Sequence, residues 1–329
     1  MRPTLRTLYA LKNVNRPRQS LGFIGLGQMG LNMADNLFTR TATAYSEAST
    51  ADASNPPMFV VCDVNKITAD TFAQDVATRF PGVLVQVADS PSDVAQRANT
   101  IFTMLPSSPQ VKEVYLGDRG ILHGISQRPQ PVESLYVDST TLDVTVARDV
   151  AAQVEATGGD MVDAPVSGEK KGVVGARAGT LSFMVGGSEN GFRRAYPFLS
   201  HMGRNIVHCG PSGSGLTAKI CNNLVLGVQQ IVVAEAMLLG IRLGLSPDVL
   251  AGVINTSTGG FASKLMQKDM ALAQHAASTA GTPLPLGDAA QAIYTQMNQN
   301  STDGAPNFAD RDFSVVYEYL RRQATKTQL

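Results

Sequence analysis

A glycine-rich motif near the amino terminus could bind a phosphate anion. The run Gly25-Leu26-Gly27-Gln28-Met29-Gly30 follows a short apolar stretch and precedes a stretch that looks helical. In this context the first glycine permits a tight turn, the second lets the backbone approach a pyrophosphate, and the third lets helix and strand pack closely. The helix start adds unpaired N–H groups and a partial positive charge. The motif predicts a dinucleotide site, with a purely structural glycine turn as the alternative.

An acidic residue at the end of the next apolar run, Asp63, could bind the ribose of such a dinucleotide. It lies farther from Gly30 than the usual ~20 residues, and a predicted loop insertion at 40–57, rich in Ala, Ser and Thr, explains the extra length. Asp52 is nearer but falls inside that polar loop. An acid at the strand end accepts from both ribose hydroxyls and repels a 2′-phosphate, so it favours NAD over NADP. The alternative is a turn-forming Asp.

A lysine near the start of a long apolar stretch could exchange a proton with a substrate. Lys219 follows the Gly213–Gly215 turn, and Asn223 lies one helical turn further on, on the same side of the predicted helix. Burial would lower the lysine pKa from about 10.4 toward about 7–8, which suits a general base. Lys219 could then take the hydroxyl proton as hydride leaves the same carbon. The alternative is a surface lysine whose stem lies along the helix.

The overall composition excludes several classes of protein. The chain has 329 residues, and its 27 Lys and Arg balance 27 Asp and Glu, so no net positive charge favours nucleic acid. Hydrophobic residues make up 43% and charged residues 16%, which indicates large buried surfaces and not disorder. The three cysteines form no CxxC pair and the four histidines are scattered. No metal site or disulfide framework is expected, and the cysteine usage suits a reducing compartment.

Short apolar runs predict strands and longer periodic stretches predict helices. Strands are expected at 21–25, 58–63, 83–87, 100–105, 134–138, 161–163 and 181–185. Helices are expected at 31–39, 67–80, 92–98 and 145–157, and after Gly210 at 216–243, 246–255, 262–277, 286–300 and 314–323. This order predicts an α/β protein with an N-terminal Rossmann-type doubly wound parallel sheet and an all-α C-terminal domain.

The domain boundaries are expected at residues 20 and 210. Residues 1–20 are basic and contain no acid, as in a mitochondrial transit peptide, so a location in the mitochondrial matrix is expected; a plain basic tail is the alternative. Residues 21–210 are the predicted NAD-binding domain, and 211–329 the helical domain that begins with a long interdomain helix. Its most apolar stretch, 224–241, contains Gln and Glu and is interpreted as a buried helix, not a membrane span.

Several further motifs, in order, resemble the 3-hydroxyisobutyrate dehydrogenases within the β-hydroxyacid dehydrogenase family. The resemblance covers about residues 21–322 and is carried by the segments 22–30 (GFIGLGQMG), 103–106 (TMLP), 137–141 (VDSTT), 163–168 (DAPVSG), 179–187 (GTLSFMVGG) and 213–223 (GSGLTAKICNN). It implies oxidation of 3-hydroxyisobutyrate to methylmalonate semialdehyde with NAD, in valine breakdown.

The resemblance also implies roles for particular residues. The catalytic lysine of the family falls on Lys219, with Asn223 orienting the substrate hydroxyl. The turn at Ser167 and Gly168 would hold the substrate carboxylate, with an ordinary turn as the alternative. By resemblance, the cofactor would also be contacted by Leu105, Pro106, Gln110, Thr141 and Lys268. For Lys268 the alternative is a solvated helix charge.

The sequence departs from the family at two places. Residues 169–171 (EKK) are an apparent insertion directly after the carboxylate turn, and the segment 256–261 (TSTGGF) is shorter than in relatives. Two alternatives therefore stay open: another short-chain semialdehyde reductase of the superfamily, and a catalytically impaired nucleotide-binding variant. The expected partner is a small β-hydroxyacid, with no nucleic acid and no membrane. Apolar residues of the long helix, such as Leu238 and Ile241, also predict a homodimer or homotetramer.

Overall fold

The computed structural model describes residues 19–48, 56–130, 132–168, 172–256, 262–299 and 308–326. The chain forms two compact units, which divide between Asn222 and Asn223. The domain boundaries expected from the sequence stay predictions. Residues 1–18, which make up most of the predicted transit peptide, lie outside the described residues, as do the 169–171 insertion and residues 257–261.

The first unit is built on a sheet that has nine strands within the described residues. They are β1 (Ser20–Ile24), β2 (Met58–Cys62), β3 (Leu84–Val87), β4 (Thr100–Thr103), β5 (Leu135–Asp138), β6 (Asp160–Asp163), β7 (Val166–Ser167), β8 (Leu181–Gly186) and β9 (Gly203–Gly210). The spatial order is β3-β2-β1-β4-β5-β6-β8-β7, and β9 pairs with β8. Strands β1 to β6 are parallel, in the order of doubly wound dinucleotide-binding sheets.

Helices connect these strands. They are α1 (Gln28–Ala48), α2 (Lys66–Arg79), α3 (Pro91–Arg97), α4 (Ser108–Leu116), α5 (Ile121–Ser126), α6 (Val144–Glu155), α7 (Gly172–Ala178), α8 (Glu189–Leu199) and the start of α9 (Ser214–Arg242). Several begin at a side-chain cap, such as Asp143, which accepts from the N–H groups of Thr145 and Val146 at the start of α6. The predicted α/β fold class is confirmed.

Two apolar cores, one on each face of the sheet, hold this unit together. Alternate residues of β1 face opposite ways, so Phe23 belongs to one core and Ile24 to the other. In the first core the fully buried rings of Phe38, from α1, and Phe59, from β2, stack with centroids 4.2 Å apart. This pairing fixes α1 against the sheet immediately after the glycine motif.

The loop insertion predicted at 40–57 is wrong over residues 40–48, which continue helix α1. Thr41 and Ala42 are buried, and the Thr41 hydroxyl donates to the carbonyl of Leu37, one turn earlier, at 2.7 Å. A threonine on a packed helix satisfies its hydroxyl in this way, so the low helix propensity of the Thr residues does not end the helix, and the Ala residues between them favour it. Residues 49–55 lie outside the described part of the chain.

The carboxyl half of the sheet is more elaborate than the sequence predicts. Strand β8 is antiparallel to β6 and β7, and β9 and helix α8 were not predicted. Strand β9 lies at the margin of the sheet and is mostly half-exposed or exposed, so it lacks the apolar run on which the strand predictions rested. The sheet is therefore parallel only over β1 to β6 and between β8 and β9.

The second unit is helical in its described residues. The remainder of α9 is followed by α10 (Pro247–Thr256), α11 (Ser263–Ala280), α12 (Pro285–Asn298), a 3₁₀ turn (Phe313–Val315) and α13 (Val316–Lys326). The buried Glu235 of α9 accepts the N–H groups of Leu286 and Gly287 at 2.9 and 3.0 Å, which ties α9 to the start of α12. The side chains of Met297, Phe308 and Val315 form a small core.

The expectation of a buried helix at 224–241 is wrong. Leu224 is 66% exposed, and large apolar side chains further along α9 are also exposed, namely Val225, Val228, Ile231, Val232, Val233, Leu238 and Ile241. A helix that is apolar on all sides has more apolar surface than its neighbours in one small unit can cover. Among the helices that the structure describes, none combines the length and the apolar character that a membrane span requires.

Candidate functional site

The carboxyl ends of five strands lie side by side in one row. Pairing places Cys62 beside Ile24, Ile24 beside Thr103, Thr103 beside Asp138, and Asp138 beside Asp163. The loops that leave this row include the glycine motif and the segments after Thr103, Asp138 and Asp163. Ligands of open α/β sheets bind outside the carboxyl ends of the strands, where the strand order reverses, which is here between β1 and β4.

The glycine motif forms the turn from β1 to α1. Gly25 has φ +95°, and a Cβ on it would overlap the carbonyl oxygen of Met104. A Cβ on Gly30 would overlap the carbonyl oxygen of Gly25. The exposed Gly27 differs, because no atom lies within 4 Å of the position its Cβ would take. Gly25 and Gly30 thus serve the turn itself, whereas the backbone at Gly27 is open to a ligand.

Asp63 is bound to this turn through hydrogen bonds. Its Oδ2 accepts the N–H of Leu26 at 2.6 Å, and its Oδ1 accepts the N–H of Asn65 at 2.7 Å. A carboxylate oxygen has two lone-pair directions, so each oxygen can accept one further bond. Gln28 is exposed at the first position of α1 and Met29 is partly buried. Asp63 therefore lies beside the motif despite the long separation in sequence.

The loop after β4 is held by a buried hydrogen-bond network. The N–H of Leu105 donates to Oγ1 of Thr140 at 2.9 Å, and the N–H of Thr140 donates to Oδ1 of Asp138 at 3.1 Å. The same oxygen accepts the Thr103 hydroxyl at 2.7 Å. Burial raises the pKa of Asp138 to about 6, against the opposing effect of these hydrogen bonds. Asp138 thus fixes the loop that contains Leu105 and Pro106.

The other residues predicted around this loop are on the surface. Pro106 and Thr141 are exposed, and Gln110 lies exposed on α4, where its Oε1 accepts the Ser107 hydroxyl at 2.6 Å. Their predicted contacts with a cofactor stay predictions.

The predicted carboxylate turn begins in β7. Ser167 is partly exposed and pairs with Ser182 of β8, and Gly168 is the last described residue before Gly172. The strand presents this pair immediately downstream of Asp163, at the same edge of the sheet as the other loops. Binding of a substrate carboxylate here stays a prediction.

Asp163 connects the sheet to the helix that contains Lys219. Its Oδ1 accepts the N–H of Gly213 at 2.7 Å and its Oδ2 accepts the N–H of Leu216 at 2.9 Å, at the start of α9. Lys219 is 9% exposed and forms no ion pair within the described residues. Burial lowers the pKa of the Lys219 amine. The lysine that could do proton chemistry is therefore buried near the carboxyl ends of the strands.

Asn223 and Lys268 belong to the second unit. Asn223 is exposed on α9, and Lys268 is exposed on α11, where its ammonium lies 3.2 Å from Asp269 Oδ1. Their roles toward substrate and cofactor stay predictions.

The sequence-based site prediction missed Asp138, Thr140 and Asp163. All three lie in motifs of apparent strand–turn character, 137–141 and 163–168, but only Thr141, Ser167 and Gly168 were assigned roles there. Their position in the sequence could have identified the two acids, because Asp138 and Asp163 each directly follow an apolar run, as Asp63 does. A buried acid at a strand end needs donors, and the turns that follow supply them.

These features define a Rossmann-type dinucleotide-binding protein. Two family models match the chain: the "NAD binding domain of 6-phosphogluconate dehydrogenase" over residues 20–210, and the "NAD-binding of NADP-dependent 3-hydroxyisobutyrate dehydrogenase" over residues 213–260. The chain belongs to the 3-hydroxyisobutyrate dehydrogenase family and is an NAD-dependent oxidoreductase.

Individual relatives support this assignment over most of the chain. A probable mitochondrial 3-hydroxyisobutyrate dehydrogenase of Dictyostelium discoideum is 39% identical, over 96% of this chain and 97% of its own. The mitochondrial enzyme of Rattus norvegicus is 40% identical, over 93% and 88%. A structure of the Mycobacterium tuberculosis enzyme with L-serine is 34% identical, over 93% and 100%, with a TM-score of 0.58. These eukaryotic relatives are named as mitochondrial enzymes, which supports a mitochondrial location for this chain and the interpretation of its basic opening as a transit peptide.

Proposed function

We propose that this protein oxidises 3-hydroxyisobutyrate to methylmalonate semialdehyde, with NAD as the oxidant and Lys219 as general base. The main observation is the buried Lys219, whose amine has a lowered pKa and no ion pair within the described residues. Most lysines are exposed and charged. One that lies buried beside the carboxyl edge of a dinucleotide-binding sheet is suited to exchange protons.

The residues at the strand ends fit a dinucleotide. The open backbone at Gly27 and the first N–H groups of α1 can accept a pyrophosphate, and the free lone pairs of Asp63 can accept from ribose hydroxyls. The loop of Leu105 and Pro106, fixed through Thr140, would line the nicotinamide. NAD⁺, when bound, supplies the hydride acceptor.

Lys219 supplies the proton transfer that this oxidation needs. As the carbinol C–H bond breaks and its electron pair leaves as hydride, the neutral amine takes the hydroxyl proton, and the C–O bond becomes C=O. The resulting ammonium returns the proton when the aldehyde is reduced. The lowered pKa keeps a larger fraction of the amine neutral near physiological pH, so oxidation slows as the pH falls through this pKa and reduction shows the opposite trend.

The substrate is a small β-hydroxyacid whose carboxylate binds at Ser167 and Gly168. A hydroxyl and backbone N–H groups hold an anion without a full opposing charge. L-serine, present in the structure of the mycobacterial relative, is itself a β-hydroxyacid. Further roles rest on the sequence. Asn223 would orient the hydroxyl, and Gln110, Thr141 and Lys268 would contact the cofactor.

The proposed setting is valine breakdown in the mitochondrial matrix. The mitochondrial relatives support it. The proposed assembly is a homodimer or homotetramer, supported by the exposed apolar surface of α9.

The deciding experiment measures turnover of purified wild type and Lys219→Ala in both directions. 3-Hydroxyisobutyrate and L-serine are each tested with NAD⁺ and NADP⁺, and semialdehydes are each tested with NADH and NADPH. We expect 3-hydroxyisobutyrate with NAD to react fastest, and the substitution to lower kcat by at least about 10³-fold while NAD still binds. Full activity in Lys219→Ala would show that Lys219 is not the general base. A preference for a semialdehyde with NADPH would favour the reductase alternative. NAD binding without any turnover would favour the catalytically impaired variant.

A further inference from the structure

We propose that Asp163 is a positioning residue that sets the location and the buried state of Lys219. The inference rests on the proposed role of Lys219. Asp163 ends strand β6 and is 4% exposed, and both of its carboxylate oxygens accept backbone N–H groups at the start of α9. A carboxylate that accepts two N–H groups at a helix N-terminus fixes the first turn against the strand, with charge-assisted bonds and a favourable dipole.

The carboxylate is enclosed between two glycines. A Cβ on Gly186, from strand β8, would overlap Asp163 Oδ1, and a Cβ on Gly215, in the first turn of α9, would come within 2.8 Å of Oδ2. Any larger residue at Gly215 would also overlap the carbonyl of Met184. Backbone from both elements therefore approaches the carboxylate directly, which leaves α9 little freedom to slide along β6.

This contact is transmitted to Lys219 by helix geometry. Gly215 and Lys219 are one turn apart, so they share the face of α9 that lies against the end of β6. A shift of the helix start would move the amine by a similar distance and change its burial. Because a displacement of about 1 Å can cost about 100-fold in rate, the fixed start of α9 bears directly on proton transfer.

The test compares Asp163→Asn with a matched control on the same strand, Asp160→Asn. The amide introduced by Asp163→Asn would place an NH₂ group against one of the two backbone N–H donors. Asp160 begins β6 and instead binds Arg194 at 2.6 Å and Asn190 at 2.8 Å, away from α9. We expect Asp163→Asn to lower kcat for 3-hydroxyisobutyrate by about 10- to 100-fold with the KM for NAD unchanged, and Asp160→Asn to leave both unchanged.

The pH profile distinguishes positioning from general damage to the fold. If Lys219 becomes more exposed in Asp163→Asn, its pKa returns toward the ordinary lysine value, so the acid limb of the kcat profile for oxidation moves to higher pH. In a Lys219→Ala background, Asp163→Asn should have no further effect on the residual rate. An unshifted profile with wild-type kcat overturns the proposal, as does an equal loss in the Lys219→Ala background or a parallel loss of NAD binding.

Two further results keep the inference separate from the proposed function. If Lys219→Ala retains turnover, the proposed base is wrong; if it is inactive and Asp163→Asn behaves as wild type, only the positioning role is wrong. Should Asp163→Asn fail to fold, Asp163→Glu retains the charge and both acceptor oxygens but shifts them by one methylene. It should bind NAD normally with reduced kcat, and a wild-type kcat would overturn the proposal.

Discussion

Asp138 and Asp163 occupy paired positions at the ends of neighbouring parallel strands, and both are nearly inaccessible to solvent, at 1% and 4% exposure. Each holds a different side of the candidate site. Asp138 reaches the loop of Leu105 through Thr140, whereas Asp163 holds the start of the helix that contains Lys219. Two adjacent buried carboxylates thus fix the proposed nicotinamide side and the proposed proton-transfer side to the same edge of the sheet.

The raised pKa of Asp138 predicts a pH-dependent stability. Its pKa is about 6 in the fold against an ordinary value of 3.8, so the folded state binds the extra proton between about pH 4 and pH 6, and this carboxyl's contribution to stability falls as the pH rises through that range. In the Asp138→Asn variant this position has no carboxyl group, so it does not titrate. Because both hydrogen bonds go to Oδ1, the oxygen of an asparagine side chain can replace it.

The measurement is urea unfolding of wild type and Asp138→Asn at pH 4.5 and pH 7.5. The free energy of unfolding of the variant, relative to wild type, should increase by about 2 kcal/mol toward pH 7.5, since the interval of about 1.5 units between pH 4.5 and the folded pKa of about 6 corresponds to about that energy. Groups common to both proteins cancel in this difference. A pH-independent difference would show that Asp138 does not titrate in this range.

Thr140 and Thr141 form a matched pair for the loop network. Thr140 is fully buried and accepts the N–H of Leu105, whereas Thr141 is exposed. Thr140→Val should lower the free energy of unfolding by about 1–3 kcal/mol, because it leaves a backbone donor without its partner. Thr141→Val should change it by less than about 0.5 kcal/mol. Thermal and urea unfolding measure both, and equal effects would contradict the network.

The sequence predicted those parts of the site that depend on local pattern. The glycine motif, the strand before it and the acid at the end of the next strand are readable because turn geometry and apolar runs are local properties. Asp63 was selected correctly as a strand-end residue even though residues 40–48 were mistaken for a loop. The fold class followed from the alternation of strands and helices.

The sequence did not predict which side chains would bind backbone groups across strands. Whether Asp163 binds the N–H groups of Gly213 and Leu216 depends on β6 and the start of α9 meeting in space, and no spacing rule contains that contact. Likewise Thr140, not Thr141, faces inward because of how the chain turns after β5. Strand β9 was not predicted because it lies at the margin of the sheet and lacks an apolar run.

The glycine motif allows a test that separates ligand binding from folding. An Ala side chain at Gly27 meets no atom within 4 Å, and the same holds at Gly82, which lies between α2 and β3. Gly27→Ala should therefore fold as wild type but weaken NAD binding at least about 10-fold, since the backbone must approach the pyrophosphate there. Gly82→Ala is the control and should alter neither property. Fluorescence titration with NADH and thermal unfolding measure the two; unchanged NADH affinity in Gly27→Ala would place the pyrophosphate elsewhere.

Asp63 should determine the preference between NAD and NADP. Its carboxylate is held by the N–H groups of Leu26 and Asn65, so its charge stands at the carboxyl end of β2, where a 2′-phosphate would meet it. Asp63→Asn removes that charge and retains one acceptor oxygen. We expect the ratio of kcat/KM for NAD to that for NADP to fall by at least about 10-fold, mainly because NADP is no longer repelled. Asp70→Asn, an exposed acid on α2, is the control for a general loss of negative charge and should leave the ratio unchanged. An equal ratio in Asp63→Asn and wild type would show that another group reads the ribose.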